Sequence, residues 1–122
     1  MTASAVIMGV VGLLFIFIPA EIAHYFNLTP SNINILVLQT LGALYFSFAV
    51  LNWMGKANLI GGIYGKPVSM GNFAHFFIVS ITIIKFVFSH QTSIILWVTA
   101  FIYIIFAILF GTVAFGNPVK TN

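Results

Sequence analysis

From Ile94 to Phe115 the chain reads "IILWVTAFIYIIFAILFGTVAF" without one charged side chain. As a helix this run rises ~33 Å, enough to cross the ~30 Å hydrocarbon core of a bilayer. The rest of the chain shares its character. Of 122 residues, 61% are hydrophobic and only 4% are charged, where an ordinary soluble domain has about a quarter charged. The sequence therefore describes an integral membrane protein. Its length admits about four spans with short connections.

The first span starts near Ala3, and Pro19 interrupts it. Transmembrane helices tolerate proline where neighbours satisfy the freed carbonyl, so "PAEIAHYF" is expected to carry the helix on to Phe26 with a kink. In "NLTPSN", Thr29 is the expected N-cap and Pro30 the first helical residue of the next span. The helices are expected at about 3–26, 34–54, 72–89 and 94–115. The glycine-rich "GKANLIGGIYGKPVSMGN" forms a polar-face loop, and "HQTS" makes a tight connection. No leading basic residues precede the first apolar run, so it reads as a mature helix rather than a cleavable signal. No internal repeat or domain linker is evident. The expected fold is an all-α membrane protein, a single domain over residues 1–122, built as a four-transmembrane-helix antiparallel up-down bundle.

Charge sets the orientation. Lys56, Lys66 and Lys120 share one side of a four-span chain, and the first and third connections carry no lysine. The positive-inside rule then puts both termini in the cytoplasm, as in a bacterial inner membrane, and puts Glu21, His24 and His90 on the outer side. There are no Arg clusters or basic runs to track phosphates, so nucleic acid is not an expected partner. The absence of cysteine removes disulfides, thiolate nucleophiles and Cys-ligated metals. Small residues at close spacing, Ala5 with Gly9, Gly42 with Ala49 and Ala107 with Gly111, mark seams where helix backbones approach.

Lys85 sits inside the apolar stretch "TIIKFVFSH", where an ammonium needs a partner or a purpose. At 100° per residue His75, Thr82, Lys85 and Ser89 fall on one face, expected to point into the bundle or a water-filled cavity. Glu21 is the only acidic side chain in the protein, and it lies ~7.5 Å inside its expected helix end, matching ~6 Å for Lys85. Two readings stay open. Either the two form a partly buried ion pair, bordered by His24, Gln39, Thr82 and His90 as a candidate binding site, or Lys85 snorkels to the headgroups and Glu21 is a solvated boundary residue. No metal site is expected, because the two histidines and one glutamate lack any close ligand motif. Asn52, Asn72 and His75 are expected to tie helices together, and Trp53 and Trp97 to anchor at the interfaces.

The stretches "PAEIAHYFNL" and "LGALYFSFAVLNWMGKANLIGG" resemble the small four-helix membrane proteins grouped as DoxX-like. The resemblance implies a four-helix membrane fold and, through relatives associated with quinone-linked oxidoreductases, a membrane subunit that touches quinone or lipid. It carries over no catalytic residue. The sequence contains no nucleophile elbow, P-loop or aspartate, which makes an enzyme the less favoured class. The expected function is an accessory protein binding a lipid, a quinone, a membrane-protein partner or a second copy of itself, with no resident cofactor. The alternatives are a small ion-coupled transporter using Glu21 and a lipid-modifying enzyme using Glu21, His24 or Lys85 as acid-base groups.

Overall fold

Ile18 precedes a proline, and the proline ring disfavours the helical region for the residue before it. In the computed structural model, which describes residues 1–56, 65–90 and 93–116, Ile18 leaves the helix at φ −127°, ψ 48°. The first helix, α1 (Thr2–Phe17), ends there, and the second, α2 (Pro19–Tyr25), starts at an angle of 98° to it. The expected kinked helix to Phe26 is thus a sharp break. Pro19 has no N–H to give the carbonyl four residues back, so nothing holds the two pieces in line.

α2 is closed by a left-handed residue. Asn27 has φ 57°, its N–H donates to the His24 carbonyl, and the Leu28 N–H donates to the Ala23 carbonyl at 2.8 Å. This is the Schellman arrangement, with asparagine where glycine is commonest. The next helix, α3 (Asn32–Gly55), is capped by Ser31, whose hydroxyl accepts from the Asn34 N–H. Ser31 therefore takes the capping role expected of Thr29. The Thr29 carbonyl instead accepts from the Asn34 side chain at 2.8 Å.

α4 (Gly65–Ser89) begins well before the expected start at 72. Pro67 falls in its first turn, where backbone N–H groups have no intrahelical acceptor and proline costs nothing. α5 (Ile94–Phe115) has the bounds read from the sequence. The middle of the expected glycine-rich loop, Gln91 and Thr92 of the "HQTS" connection, and the C-terminal Lys120 lie outside the described residues. The described residues are all-helical or irregular, with no strand. α3, α4 and α5 are each long and apolar enough to cross a membrane, as is the bent α1–α2 pair if it counts as one span.

The chain divides into two compact units, Met1–Ala57 and Asn58–Asn122. In the first, α1 packs along α3 and α2 lies against the start of α3. Ser4, Met8 and Gly12, one residue per turn, form the buried ridge of α1 against Leu38, Gly42, Ala49 and Asn52 of α3. The closest approach is at the two glycines: a Cβ on Gly12 would lie 2.8 Å from both the Gly42 carbonyl oxygen and the Phe46 nitrogen. Near the other end, Asn52 Nδ2 donates to Ser4 Oγ at 3.2 Å, and both side chains are fully buried.

The second unit is the α4–α5 hairpin, centred on rings rather than glycines. Phe76 is fully buried. It stacks on Phe106 and Phe110, with centroids 5.0 and 5.7 Å away, and meets Tyr103 edge-on at 5.0 Å. In lipid such contact is the main source of helix association, because apolar burial gives little net drive there. The expected small-residue seams Ala5/Gly9, Gly42/Ala49 and Ala107/Gly111 all lie on faces packed within one hairpin or the other.

Candidate functional site

The helix break sets the polar end of the first unit. With α1 ended at Phe17, the Ile16 carbonyl lacks an in-line helical donor, and Gln39 Nε2 of α3 donates to it at 3.3 Å. Gln39, expected as a site residue, thus braces the break. On α2, Ala23 is buried and Ile22 and Pro19 half-buried, while Glu21, His24 and Tyr25 are exposed. Glu21 and His24 are three apart and share one helix face. The result is a short amphipathic helix with its acid and imidazole outward.

Within the second unit the polar stripe of α4 is turned from α5. Thr82, Lys85 and Ser89 are exposed and His75 only half-buried. The residues α4 buries are Ser69, Asn72, Phe76, Ser80 and Val87. At ~100° per residue the two sets are centred roughly 150° apart, so the stripe points away from the α5 contact. Two of its hydroxyls are satisfied by their own helix, Thr82 on the Ile78 carbonyl and Ser89 on the Lys85 carbonyl. Such back-bonding lets a hydroxyl lie on a helix face without an outside partner. His75 sits beside the Phe76 and Tyr103 rings. His90, just past α4, lies with its ring stacked 4.6 Å from Phe86. Glu21 belongs to the first unit and Lys85 to the second, so their pairing remains an expectation from the sequence.

Among the described residues, no three His, Cys, Asp or Glu side chains gather closely enough to hold a metal ion. Trp53 has Lys56 over its ring, 2.9 Å from the centroid, and Trp97 meets Phe88 edge-on at 5.6 Å.

One concavity among the described residues was not read from the sequence. A lateral groove of about 540 Å³ runs between α4 and α5, floored by Ser80 and Ala107 and walled by Phe73, Phe77, Ile84 and Ile108. That volume falls within the ~300–1,000 Å³ typical of small-molecule sites. Among the described residues that line it, the polar side chains are Ser80 and Thr112. Both hydroxyls are turned to their own helices, donating to the Phe77 and Leu109 carbonyls at 2.8 and 2.7 Å. The groove therefore offers methyl groups, methylenes and ring faces to a ligand, and no free hydroxyl hydrogen. Along α4, from Phe73 to Ile84, it extends ~16 Å. The sequence signal was the Phe73/Phe77 pair one turn apart, but only the partner helix shows that a groove lies beside it.

Comparison with protein-family models, with curated proteins and with solved structures gives no match. The function must be argued from the geometry.

Proposed function

We propose that this chain is a small integral membrane accessory protein that holds the apolar tail of a membrane lipid in the α4–α5 groove. The observation that carries the reading is a groove of binding-site volume, on two membrane-length helices, with a lining that is apolar almost throughout. A quinone headgroup fits less well, because its carbonyls need donors and both groove hydroxyls are already used within their helices. In this reading the four spans form an antiparallel up-down bundle with both termini cytoplasmic, which the lysine distribution supports. The DoxX-like resemblance, which implies a membrane subunit touching quinone or lipid, is compatible with this reading.

A transporter would need a carboxylate within a closed pathway, and within the first unit nothing encloses Glu21 on α2. That weighs toward the accessory role. The test is native mass spectrometry of protein purified in a mild detergent and washed extensively. A retained phospholipid at a fixed stoichiometry supports the reading. Bare protein, or a graded series of adducts falling to zero on washing, refutes it.

A further inference from the structure

We infer that the two hairpins are copies of one unit, and that the α4–α5 groove is the enlarged form of a site the first hairpin carries only as a small hollow. The inference rests on the lipid-tail reading above and assigns that site its class of ligand, the acyl tail of a phospholipid.

The copies show in the second helix of each unit. "GALYFSFAVLN" (Gly42 to Asn52) and "AFIYIIFAILF" (Ala100 to Phe110) align without a gap. Tyr45, Phe48, Ala49 and Leu51 meet Tyr103, Phe106, Ala107 and Leu109. Three buried pairs share this register, Gly42 with Ala100, Ala49 with Ala107 and Asn52 with Phe110, while Leu38 and Tyr103 are buried opposite half-buried Leu96 and Tyr45. In the first helix of each unit the chemistry differs and the geometry does not. Ser4, Met8 and Gly12 are buried one turn apart in α1, as are Asn72, Phe76 and Ser80 in α4, while buried Ala5 corresponds to half-buried Phe73. The contacts agree with both registers at once. Asn52 reaches toward Ser4 and Met8 in one hairpin, and its counterpart Phe110 stacks on Phe76, the counterpart of Met8, in the other. The registers differ between the two helices because the first copy carries α2 in its connection, whereas α4 ends only a few residues before α5.

The grooves provide a separate check. A smaller hollow of about 230 Å³ lies between α1 and α3. In α1 it touches Ala5 and Gly9, the counterparts of Phe73 and Phe77. In α3 it touches Phe46, Ala49, Val50 and Trp53, the counterparts of Ile104, Ala107, Ile108 and Gly111. All of those counterparts line the larger groove, and of the smaller hollow's lining only Val6 has a counterpart that does not. Two differences accompany the size. The Gly12–Gly42 contact brings the first pair of backbones together where the second has Ser80 and Ala100, and Trp53 stands where the second hairpin has Gly111 with the Phe73 ring beside it. The smaller hollow falls below the ~300 Å³ at which small-molecule sites begin, and the larger clears it.

The length of the groove selects its occupant. Its ~16 Å along α4 is about half of a ~30 Å hydrocarbon core, the depth of one leaflet. An acyl tail lying along a membrane helix has that reach and needs no polar contact inside it. Phe73 to Ile84 lies in the middle of α4 (Gly65–Ser89), at the depth of acyl chains rather than headgroups.

The test uses nanodiscs containing phosphatidylglycerol with a diazirine in one acyl tail, irradiated and mapped by peptide mass spectrometry. Wild type should label α4 between Phe73 and Ile84 and α5 between Ile104 and Thr112, saturating at one lipid per chain. Ile108→Trp, at a rim position 61% exposed, and Gly111→Trp should each lower labelling by about tenfold, equivalent to ~1.4 kcal/mol; Val98→Trp, outside the groove, should not. Trp53→Gly should add a second labelled segment around Ala49 and Val50. No saturable labelling of wild type overturns the lipid-tail function itself. Saturable labelling that survives both groove tryptophans overturns the site. Loss in those variants without any gain in Trp53→Gly overturns the equivalence of the two hairpins while the function stands. Displacement of the label by a short-tailed quinone, and not by unlabelled phospholipid, overturns the acyl-tail assignment.

Discussion

Gly12→Ala adds one methyl group where there is no room for it. Its Cβ would stand 2.8 Å from the Gly42 carbonyl oxygen and 2.8 Å from the Phe46 nitrogen, both backbone atoms that cannot rotate away, whereas ordinary contact starts at 3.4 Å. α1 and α3 must separate by about half an ångström or more, loosening the packing along the whole Ser4–Met8–Gly12 ridge. Overpacking of this kind costs ~1–3 kcal/mol. The better helix propensity of alanine returns up to ~1 kcal/mol. The net expectation is a loss of about 1–2 kcal/mol, a five- to thirty-fold shift of the folding equilibrium. Gly9→Ala is the matched control, because its Cβ would meet the Ala49 Cβ at 3.5 Å and only the propensity gain remains. SDS titration from mixed micelles, in a Trp97→Phe background so that Trp53 alone reports on the first hairpin, measures both. Gly12→Ala/Gly42→Ala should cost less than the sum of the single changes, since both open the same gap. Equal midpoints for Gly12→Ala and Gly9→Ala would show that the close crossing does not hold the hairpin together.

Phe76→Ala should be among the most damaging single changes in the second hairpin, at ~3–5 kcal/mol, because it empties the centre of a four-ring cluster; a loss under ~1 kcal/mol in an SDS titration of a Trp53→Phe background, where Trp97 reports on the second hairpin, would contradict that packing. Ser4→Ala should cost only ~0.6 kcal/mol, the usual worth of an interhelical hydrogen bond in a membrane, and a double-mutant cycle with Asn52→Leu reads the coupling directly. Asn27→Gly should be neutral or slightly stabilising and Asn27→Val destabilising, since φ 57° suits glycine and penalises a β-branched residue; the reverse order in thermal unfolding would refute the left-handed cap. If Glu21 and Lys85 pair, Glu21→Gln and Lys85→Met should each be costly, ~3–5 kcal/mol, and the double change much less so; mild, additive effects in nanodiscs would refute the pairing.

Much of the helical layout could be read from the sequence, and the departures share a local cause. α5 is an uninterrupted apolar run bounded by a polar connection and a glycine, so its limits follow directly. Both large boundary differences involve proline. Pro19 ends a helix because the residue before it leaves the helical region, and Pro67 is admitted because it falls in a first turn. The site was less legible. Sequence reasoning follows polar side chains into apolar surroundings, and here that led to Lys85, Thr82 and Ser89, which lie on the face of α4 turned away from α5. The groove is built from apolar residues one turn apart, a pattern that also describes any packed helix, until a partner with Ala107 and Gly111 leaves space beside it. The duplication was hidden for a related reason. α1 and α4 preserve the spacing of their buried positions while exchanging serine for asparagine, methionine for phenylalanine and glycine for serine, and burial has to be known before the register appears.

Electron cryo-microscopy in nanodiscs of phospholipid brominated on one tail would show whether the α4–α5 groove holds one lipid tail. Bromine density is expected between Phe77 and Ile108, with tail density continuing along α4 toward Ile84. A groove with no such density, while bromine marks the surrounding annulus evenly, would contradict it.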